Sequence, residues 1–378
     1  MKVLIAGDYS PLDRVAQKIE KGDTIDLFSS VSDVIIAADY SIVNFESVVL
    51  DKKAAPIDKC GPHLKCSPKT LPVLKKAGFR CLTLANNHFR DFADEGVLTS
   101  IEFFKENGFD YVGGGADIDA AEAILYKTLN NEILAVINVC ENEFSIASKT
   151  RAGSAPLDAV KVFHRVCEAR SKAAYILVIV HGGHEHYQLP SPRMKELYRF
   201  FIEVGADAVV NHHQHCYSGY EFYQGKPIVY GLGNFFFDHP KKRKSIWNEG
   251  YMAEIDFTPS GIIFATIPYV QCDNEPRVRL MVDDEKKRFE NNISALNEVI
   301  ADDQKLQQEL DKFIVSRRSS IMSVFTRYTN RYLRGAVGRH WIPYLLPKSK
   351  VLDMIDYISC ESQRDVTLGY LEEYTKLK

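Results

Sequence analysis

The chain has 378 residues, of which 46% are hydrophobic and 26% are charged. This composition is near the globular average and excludes a fibrous or intrinsically disordered protein, while the length predicts one large α/β domain with an appendage, or two domains. The formal net charge of −3 excludes a whole-protein field for nucleic acid, so we expect no nucleic-acid partner.

The first apolar run, at 3–6, meets Gly7 and Asp8 too early for a signal peptide and is typical of a buried strand. No apolar stretch approaches the roughly 20 residues of a membrane span, so the expected compartment is the cytoplasm. The eight cysteines are scattered without CxxC spacing. We expect free thiols, with pairing or metal binding by Cys60 and Cys66 as a minor alternative.

Short β-branched runs recur along the first two thirds of the chain, and their near-continuous apolarity predicts strands that are buried on both faces. Helical patterns that end at a glycine lie between several of them, for example at 71–77 and 197–204. This rotation of strand, helix and glycine predicts a layered α/β fold. The predicted strands are 3–6, 42–45, 81–84, 133–139, 175–180, 208–210 and 228–230.

The sheet region is predicted to close with a hairpin, in which 251–257 and 261–267 flank the Pro259-Ser260-Gly261 turn. After Pro276 the apolar residues recur at helical spacing among charges. We therefore divide the chain into a domain at 1–275 and a helical extension at 276–378.

Polar clusters follow five of the predicted strands, and the carboxyl ends of strands are where α/β sheets bind ligands. Singly, each cluster is compatible with a helix cap, a turn or a core histidine. Together they are costly to bury unless a cation or mutual hydrogen bonds offset the cost. Carboxylate, amide and imidazole donors without thiolate favour Mn, Fe or Zn. The clusters are Asp8; Asn44 and Glu46; Asn86, Asn87 and His88; His181; and the run 211–215.

Four strings make the sequence recognisable: Asn-Phe-Glu at 44–46, Ala-Asn-Asn-His-Phe-Arg-Asp at 85–91, His-Gly-Gly-His-Glu at 181–185 and Gly-Ala-Asp-Ala-Val-Val-Asn-His-His-Gln-His at 205–215. They resemble the CapA family of capsule or poly-γ-glutamate synthesis proteins, within the calcineurin-like metallophosphatase superfamily. The resemblance covers about 1–270, continues through 225–238, and does not include the helical tail.

The resemblance implies a four-layer α/β/β/α sandwich of metallophosphatase type that binds two divalent metal ions. It places Glu46 as a bridging carboxylate, Asp8 and His215 on one metal, and Asn87, His181 and His213 on the other. His88 stands at the general-acid position, with Asp91 placed to orient it. The candidate substrate contacts are Asn44, Asn86, His184, Glu185, His212, Asn234 and Asp238.

The chain departs from the superfamily at three positions. The first motif is usually Asp-x-His, but Asp8-Tyr9-Ser10 has no histidine, so one metal has fewer ligands. Asn211 stands where glycine is usual, and Gly182-Gly183 replaces an aromatic residue. These two changes leave the ligands intact and affect the shape of the substrate site.

Our leading hypothesis is a metal-dependent hydrolase, acting on phosphoesters in capsule or cell-surface polymer synthesis. The alternatives are a hydrolase of γ-glutamyl or other amide links and a non-catalytic polymer-binding or assembly subunit. The expected partner is a small or polymeric anionic substrate.

Two basic features lie outside the motifs. The run 241–244 favours a solvated loop over a segment that attracts an anionic substrate. In the tail, arginines alternate with aromatic residues, which favours helices packed on the core over a contact with a membrane or with polymer-synthesis machinery. The residues of the tail feature are Arg317, Arg318, Phe325, Arg327, Tyr328, Arg331, Tyr332, Arg334, Arg339 and Trp341.

Overall fold

The computed structural model describes residues 1–325 and 347–376, with Tyr332 and Trp341 between them. Its larger sheet has eight strands in the order β18-β17-β16-β1-β2-β5-β6, with β15 also paired to β1. These strands are β1 (Lys2–Ser10), β2 (Tyr40–Phe45), β5 (Cys81–Thr83), β6 (Asp110–Val112), β15 (Asn234–Phe237), β16 (Glu249–Thr258), β17 (Gly261–Gln271) and β18 (Val278–Leu280).

The second sheet has six strands in the order β13-β14-β12-β11-β9-β8. These are β8 (Leu125–Leu129), β9 (Glu132–Cys140), β11 (Tyr175–His181), β12 (Ala208–His212), β13 (Tyr220–Tyr223) and β14 (Lys226–Val229). Two small ladders complete the strands, one pairing β3 (Val48–Val49) with β4 (Lys65–Cys66), the other β7 (Gly114–Gly115) with β10 (Gly153–Ser154).

The helices lie between and after these strands. They are α1 (Asp13–Lys21), α2 (Ser32–Ile36), α3 (Thr70–Ala77), α4 (Ala93–Glu106), α5 (Ile118–Ala121), α6 (Ala159–Arg170), α7 (Pro192–Glu203), a 3₁₀ turn (Ile246–Asn248), α8 (Asp283–Ala301), α9 (Asp303–Phe325), α10 (Lys348–Ser359) and α11 (Glu361–Lys376).

Three apolar clusters hold these elements in four layers. Alternate residues of β1 face opposite ways: Leu4 and Ala6 pack in the cluster shared with α1–α4, whereas Val3 and Ile5 pack against the second sheet. The outer face of the second sheet packs on α6 and α7. The predicted α/β/β/α sandwich is confirmed, and the all-apolar strands reflect burial on both faces.

Both sheets place the carboxyl ends of parallel strands at one edge. β1 runs parallel to β2, and β2 to β5, while β11 runs parallel to β9 and β12. A register shift after Ala6 marks a local irregularity in β1. At Gly7 a Cβ would meet the Gly233 carbonyl oxygen at 1.8 Å, so glycine is required where the two segments cross.

The helical extension begins later than the sequence predicts. Val278–Leu280 still pair with β17, so the boundary at 275/276 cuts the last hairpin of the larger sheet. Phe289 and Ile293 of α8 then enter the core between the sheets. α9 packs on α11 through Leu310, Ile314, Val366 and Tyr370.

Most of the predicted arginine and aromatic tail lies outside the described residues. Within the described ranges, none of the helices combines the length and hydropathy that a membrane span needs. All eight cysteines are described and free, as expected. The tail residues outside the described set are Arg327, Tyr328, Arg331, Arg334 and Arg339, and the side chains of Arg318 and Phe325 are also outside it.

Candidate metal centre

Glu46 occupies the middle of the strand-end edge, directly after β2. Its side chain is fully buried, and neither carboxylate oxygen has a hydrogen-bond partner among the described residues. Burial raises its pKa well above the usual value, and the nearby Asp8 carboxylate raises it further. A buried carboxylate without donors is costly, so the site has the electrostatics of a cation-binding centre.

One donor group lies on the β1 side of Glu46. Asp8, Glu46 and His215 each offer a ligand atom, and these atoms lie within 4.8 Å of one another. His215 Nδ1 is 2.9 Å from Asn234 Oδ1, to which it can donate, while its Nε2 lies 3.9 Å from Glu46 Oε1. An imidazole held by a partner at one nitrogen and free at the other is the usual arrangement of a metal ligand.

A second donor group lies on the other side of the same carboxylate. Glu46, His181 and His213 also offer ligand atoms within 4.8 Å. His181 Nε2 is 3.0 Å from His213 Nδ1 and 3.1 Å from Asn87 Oδ1. Two atoms at about 2.1 Å from one cation and at right angles to each other are separated by about 3 Å. Asn87, as an amide oxygen donor, therefore fits the second group.

Burial favours the neutral form of two histidines of the site, His181 and His215. Burial lowers the pKa of His181 well below its usual value, and neighbouring histidines lower it further. Burial also lowers the pKa of His215 to about 4. Burial raises the pKa of Asp8, but His212 and His215 outweigh it, so the net shift is downward. Neutral imidazole and ionised carboxylate are the forms that bind metal.

The donor set therefore fits divalent cations, and Glu46 belongs to both groups of donors. The buried carboxylate without a hydrogen-bond partner and the two overlapping groups of donors both agree with this chemistry, and the lowered pKa of His181 leaves its imidazole free to bind a metal. Backbone strain supports the same conclusion, since His213 and His215 have φ values of 92° and 56°. Side chains in this conformation are uncommon and concentrate at functional sites.

His88 faces the same carboxylate. Its Nε2 is 3.9 Å from Glu46 Oε1, and its Nδ1 is 2.7 Å from Asp91 Oδ2. Lys59 is ion-paired with Asp91 and lies 3.0 Å from His88 Nδ1. Burial lowers the pKa of His88, Lys59 lowers it further, and Asp91 opposes both. The structure thus brings the predicted acid and its orienting carboxylate together and adds a lysine.

Several predicted substrate contacts lie behind the donor groups. Asn44 is fully buried and donates through Nδ2 to Asp8 Oδ1 at 2.8 Å, with the same atom 3.2 Å from His181 Nδ1. Asn86 is equally buried, and its Oδ1 accepts a hydrogen bond from the His88 backbone N–H. Both side chains orient ligand-bearing segments in this arrangement.

His212 and Asn234 are placed in the same way. His212 Nδ1 lies 3.2 Å from Asp8 Oδ1, and Asn234 holds His215 through its Oδ1. Both side chains are buried, at 2% and 0% exposure, and the contacts just given are with other residues of the site.

Asp238, which is predicted to line the pocket, binds two arginine side chains. Its Oδ2 accepts from Arg14 Nε at 2.8 Å, and its Oδ1 accepts from Arg243 Nε at 3.1 Å. Because two guanidinium groups hydrogen-bond the buried carboxylate, we expect Asp238 to anchor the loop that follows β15 instead of binding substrate.

His184 and Glu185 lie on the loop after β11. His184 is buried against Phe313 of α9, with ring centroids 5.3 Å apart. The Glu185 side chain is 48% exposed and lies 3.8 Å from His186 Nε2. Glu185 is therefore the more accessible of the two predicted contacts.

Two residues at the site, Glu143 and Lys59, are not predicted from the sequence. Glu143 Oε2 accepts from Asn87 Nδ2 at 3.3 Å, and its Oε1 lies 3.8 Å from His213 Nε2. Burial and the Glu185 carboxylate raise its pKa to about 8. Glu143 follows the end of β9, so the strand-end rule could have found it. Lys59 lies in a loop with no local signal.

The comparisons with known proteins match most of the α/β part of the chain. A family model described as "Bacterial capsule synthesis protein PGA_cap" matches residues 2–239, which is more than half of the chain. The match includes every residue of both donor groups and ends before the helical extension.

Two curated relatives extend this finding. The chain is 31% identical over 246 residues to "Capsule biosynthesis protein CapA" of Bacillus anthracis, covering 63% of this chain and 60% of the relative. It is 32% identical over 232 residues to "PGA biosynthesis protein CapA" of Bacillus subtilis (strain 168), covering 60% and 61%. The chain thus spans about three fifths of the length of each relative.

Among solved structures, the 5'-nucleotidase precursor from Thermus thermophilus is similar with a TM-score of 0.42 and 13% identity, covering 80% of this chain and 59% of that one.

Proposed function

Because the chain belongs to the bacterial capsule synthesis protein family PGA_cap, we propose that it is a metal-dependent phosphoester hydrolase that acts in the synthesis of a cell-surface polymer. The observation that carries the proposal is the buried Glu46 carboxylate, which lacks a hydrogen-bond partner in the described part of the chain and is shared by two groups of metal donors. The process follows the names of the relatives, and the chemistry follows the site.

In this proposal the residues form two binding sites for ions of Mn, Fe or Zn. Asp8 and His215 would hold one ion, the trio Asn87, His181 and His213 would hold the other, and Glu46 would be shared. When bound, such a pair supplies a water of lowered pKa and polarises phosphoryl oxygens. Asn44 and Asn234 keep the imidazoles turned towards this point.

His88 is the proposed proton-transfer residue. Asp91 holds Nδ1, so Nε2 is the nitrogen that can give a proton to the leaving oxygen. Lys59 lowers the pKa of His88, which makes the imidazolium less populated but a stronger acid once formed. Glu143 supports the second donor group through Asn87 and His213.

The test combines metal content with turnover. Protein purified without chelator is analysed for Mn, Fe and Zn, then assayed with p-nitrophenyl phosphate and bis(p-nitrophenyl) phosphate in Mn²⁺. We expect about two ions per chain and hydrolysis of at least one ester. The His181→Ala variant should lose both, whereas His164→Ala, on the exposed face of α6, should lose neither.

Other outcomes identify the alternatives. Bound metal with release of nitroaniline from a γ-glutamyl anilide, but not of nitrophenol, would indicate an amide hydrolase. Absence of metal and of turnover with every divalent ion would refute the hydrolase and favour a polymer-binding or assembly subunit.

A further inference from the structure

We propose that Lys242 and Arg317 form an anion-binding subsite at the mouth of the metal centre, which receives a second anionic group of the substrate, distal to the scissile phosphoester. The inference deepens the proposed function, and the identification of the bound anion as part of the substrate rests on that function. Both residues lie outside the segment matched by the family model, which ends at residue 239.

Lys242 leans towards the metal centre. Its Nζ lies 2.7 Å from His186 Nε2, to which it can donate, and 4.1 Å from the centroid of the Trp247 ring. Neighbouring residues of the run 241–244 behave differently: Lys241 and Lys244 are exposed, and Arg243 is bound to Asp238. Within the predicted solvated loop, an aromatic face and an imidazole thus hold the ammonium group of Lys242 in one position.

Trp247 connects this ammonium group to a predicted metal ligand. Its ring is 4.7 Å from the His215 ring and 5.7 Å from the His186 ring. The indole is 4% exposed, and its Nε1 donates to the Phe237 carbonyl oxygen at 2.8 Å. A fixed indole that contacts the lysine and His215 places the positive charge close to the donor groups.

His186 is held in place between these groups. Its φ of 63° is uncommon for a non-glycine residue, and its backbone N–H donates to the Gln214 carbonyl oxygen at 2.8 Å. The imidazole is 43% exposed, which leaves it at the surface of the site. The strained backbone presents this ring beside Lys242, in the kind of conformation that functional sites retain.

Arg317 supplies a second cation from the helical extension. It lies one helical turn beyond Phe313, and residues four apart share a helix face. Phe313 stacks on Tyr187 at 4.4 Å and contacts the His184 ring, so this face of α9 covers the 184–187 loop. Arg317 hydrogen-bonds Tyr357. Burial lowers the pKa of His184 and of His186, and the positive charge of Arg317 lowers both further.

The charges at the mouth of the metal centre favour binding of one anionic group in addition to the scissile phosphoryl group. The Glu185 carboxylate lies 3.8 Å from His186 Nε2, and its single negative charge is smaller than the combined charge of Lys242 and Arg317. Two ions at the metal centre would take the scissile phosphoryl group. Lys242 and Arg317 are then available for a neighbouring phosphate or carboxylate, since charge-assisted contacts are the strong ones.

Binding of two inorganic probes to the Mn²⁺-loaded protein tests the subsite. Phosphate offers one anionic group and pyrophosphate offers two, so calorimetric titration with each separates the subsite from the metal centre. We expect Lys242→Met to weaken pyrophosphate binding about tenfold and phosphate binding less than about twofold. Arg317→Met should act in the same direction, and Lys242→Arg should retain most of the affinity.

Matched controls make the result decisive. Lys241→Met changes the exposed neighbouring lysine and should leave both affinities unchanged, and circular dichroism with metal content checks that each variant is folded and loaded. Equal pyrophosphate binding by Lys242→Met and the unaltered protein would overturn the subsite, as would an equal loss for both probes. If the pattern appears but no ester is hydrolysed, the subsite stands and the proposed hydrolase fails.

Discussion

Glu46 offers the sharpest test, because a group kept for metal binding should cost stability when metal is removed. The Glu46→Gln variant replaces one carboxylate oxygen by an amide at nearly constant volume. In the unaltered protein both oxygens are buried and lack hydrogen-bond partners in the described part of the chain. The metal-free protein should therefore be no less stable after the change, and more stable if the amide finds an acceptor.

The magnitude follows from the desolvation cost. An unsatisfied buried polar group costs about 1–3 kcal/mol, and more if it is charged. Asp8 and several imidazoles are nearby acceptors for an amide N–H, so we expect Glu46→Gln to raise the free energy of unfolding of metal-free protein by about 1–2 kcal/mol. Metal at about 100 times its dissociation constant adds about 2.7 kcal/mol to the unaltered protein, and the variant should lose most of that gain.

Urea unfolding at pH 7.5, with EDTA or with Mn²⁺, measures both effects. The expected result is a crossing: the variant is the more stable protein in EDTA and the less stable one in Mn²⁺. Asp33→Asn, a change on the α2 surface, serves as the control and should leave the order unaltered. A variant that loses stability in EDTA and retains the full Mn²⁺ effect would refute the interpretation of Glu46 as a shared ligand.

Three further predictions concern other parts of the molecule. Asp91→Asn should lower kcat by about 10²-fold with little change in metal content, because its histidine partner loses the carboxylate that orients it; unchanged kcat would contradict this. Glu141→Gln should destabilise the protein by about 1–3 kcal/mol, measured by urea unfolding, because its buried carboxylate pairs with Arg193 at 2.7 Å. The pKa of Glu285 is lowered to about 2 by its hydrogen bonds with Arg279, so the stabilisation is present above the usual value of 4.5 and lost as the pH falls towards 2. Glu285→Gln should therefore lower the urea midpoint at pH 7 but not near pH 2.

The sequence predicts the sheets and the donor groups because both depend on local patterns. Runs such as 175–180 are apolar at every position, which requires burial on both faces, and His181 follows at the strand end. Glu46 and His213 directly follow β2 and β12, and Asp8 lies near the carboxyl end of β1. Parallel strands bring their carboxyl ends to one edge, so residues distant in sequence meet there.

The remaining features depend on contacts that no local pattern encodes. Lys59 reaches Asp91 from an irregular loop, and the position of Lys242 depends on Trp247, which lies in a 3₁₀ turn. Val278–Leu280 form a short edge strand that lacks a long alternating pattern, which is why the predicted boundary falls too early. Such placements are decided by tertiary packing.

Glu141 connects the helical extension to the loops of the metal centre through hydrogen bonds. Its carboxylate, 3% exposed, accepts hydrogen bonds from the Gly183 backbone N–H at 3.1 Å and from Ser362 of α11 at 2.8 Å. Gly183 is two residues beyond His181, and Glu143 is two residues beyond Glu141. One buried anion thus links α11 to the loop that follows His181, and it lies two residues before Glu143, which contacts Asn87 and His213. Because a buried carboxylate that loses hydrogen-bond donors is costly, α11 and the loop after β11 should move together, and metal binding should protect α11 from exchange with solvent.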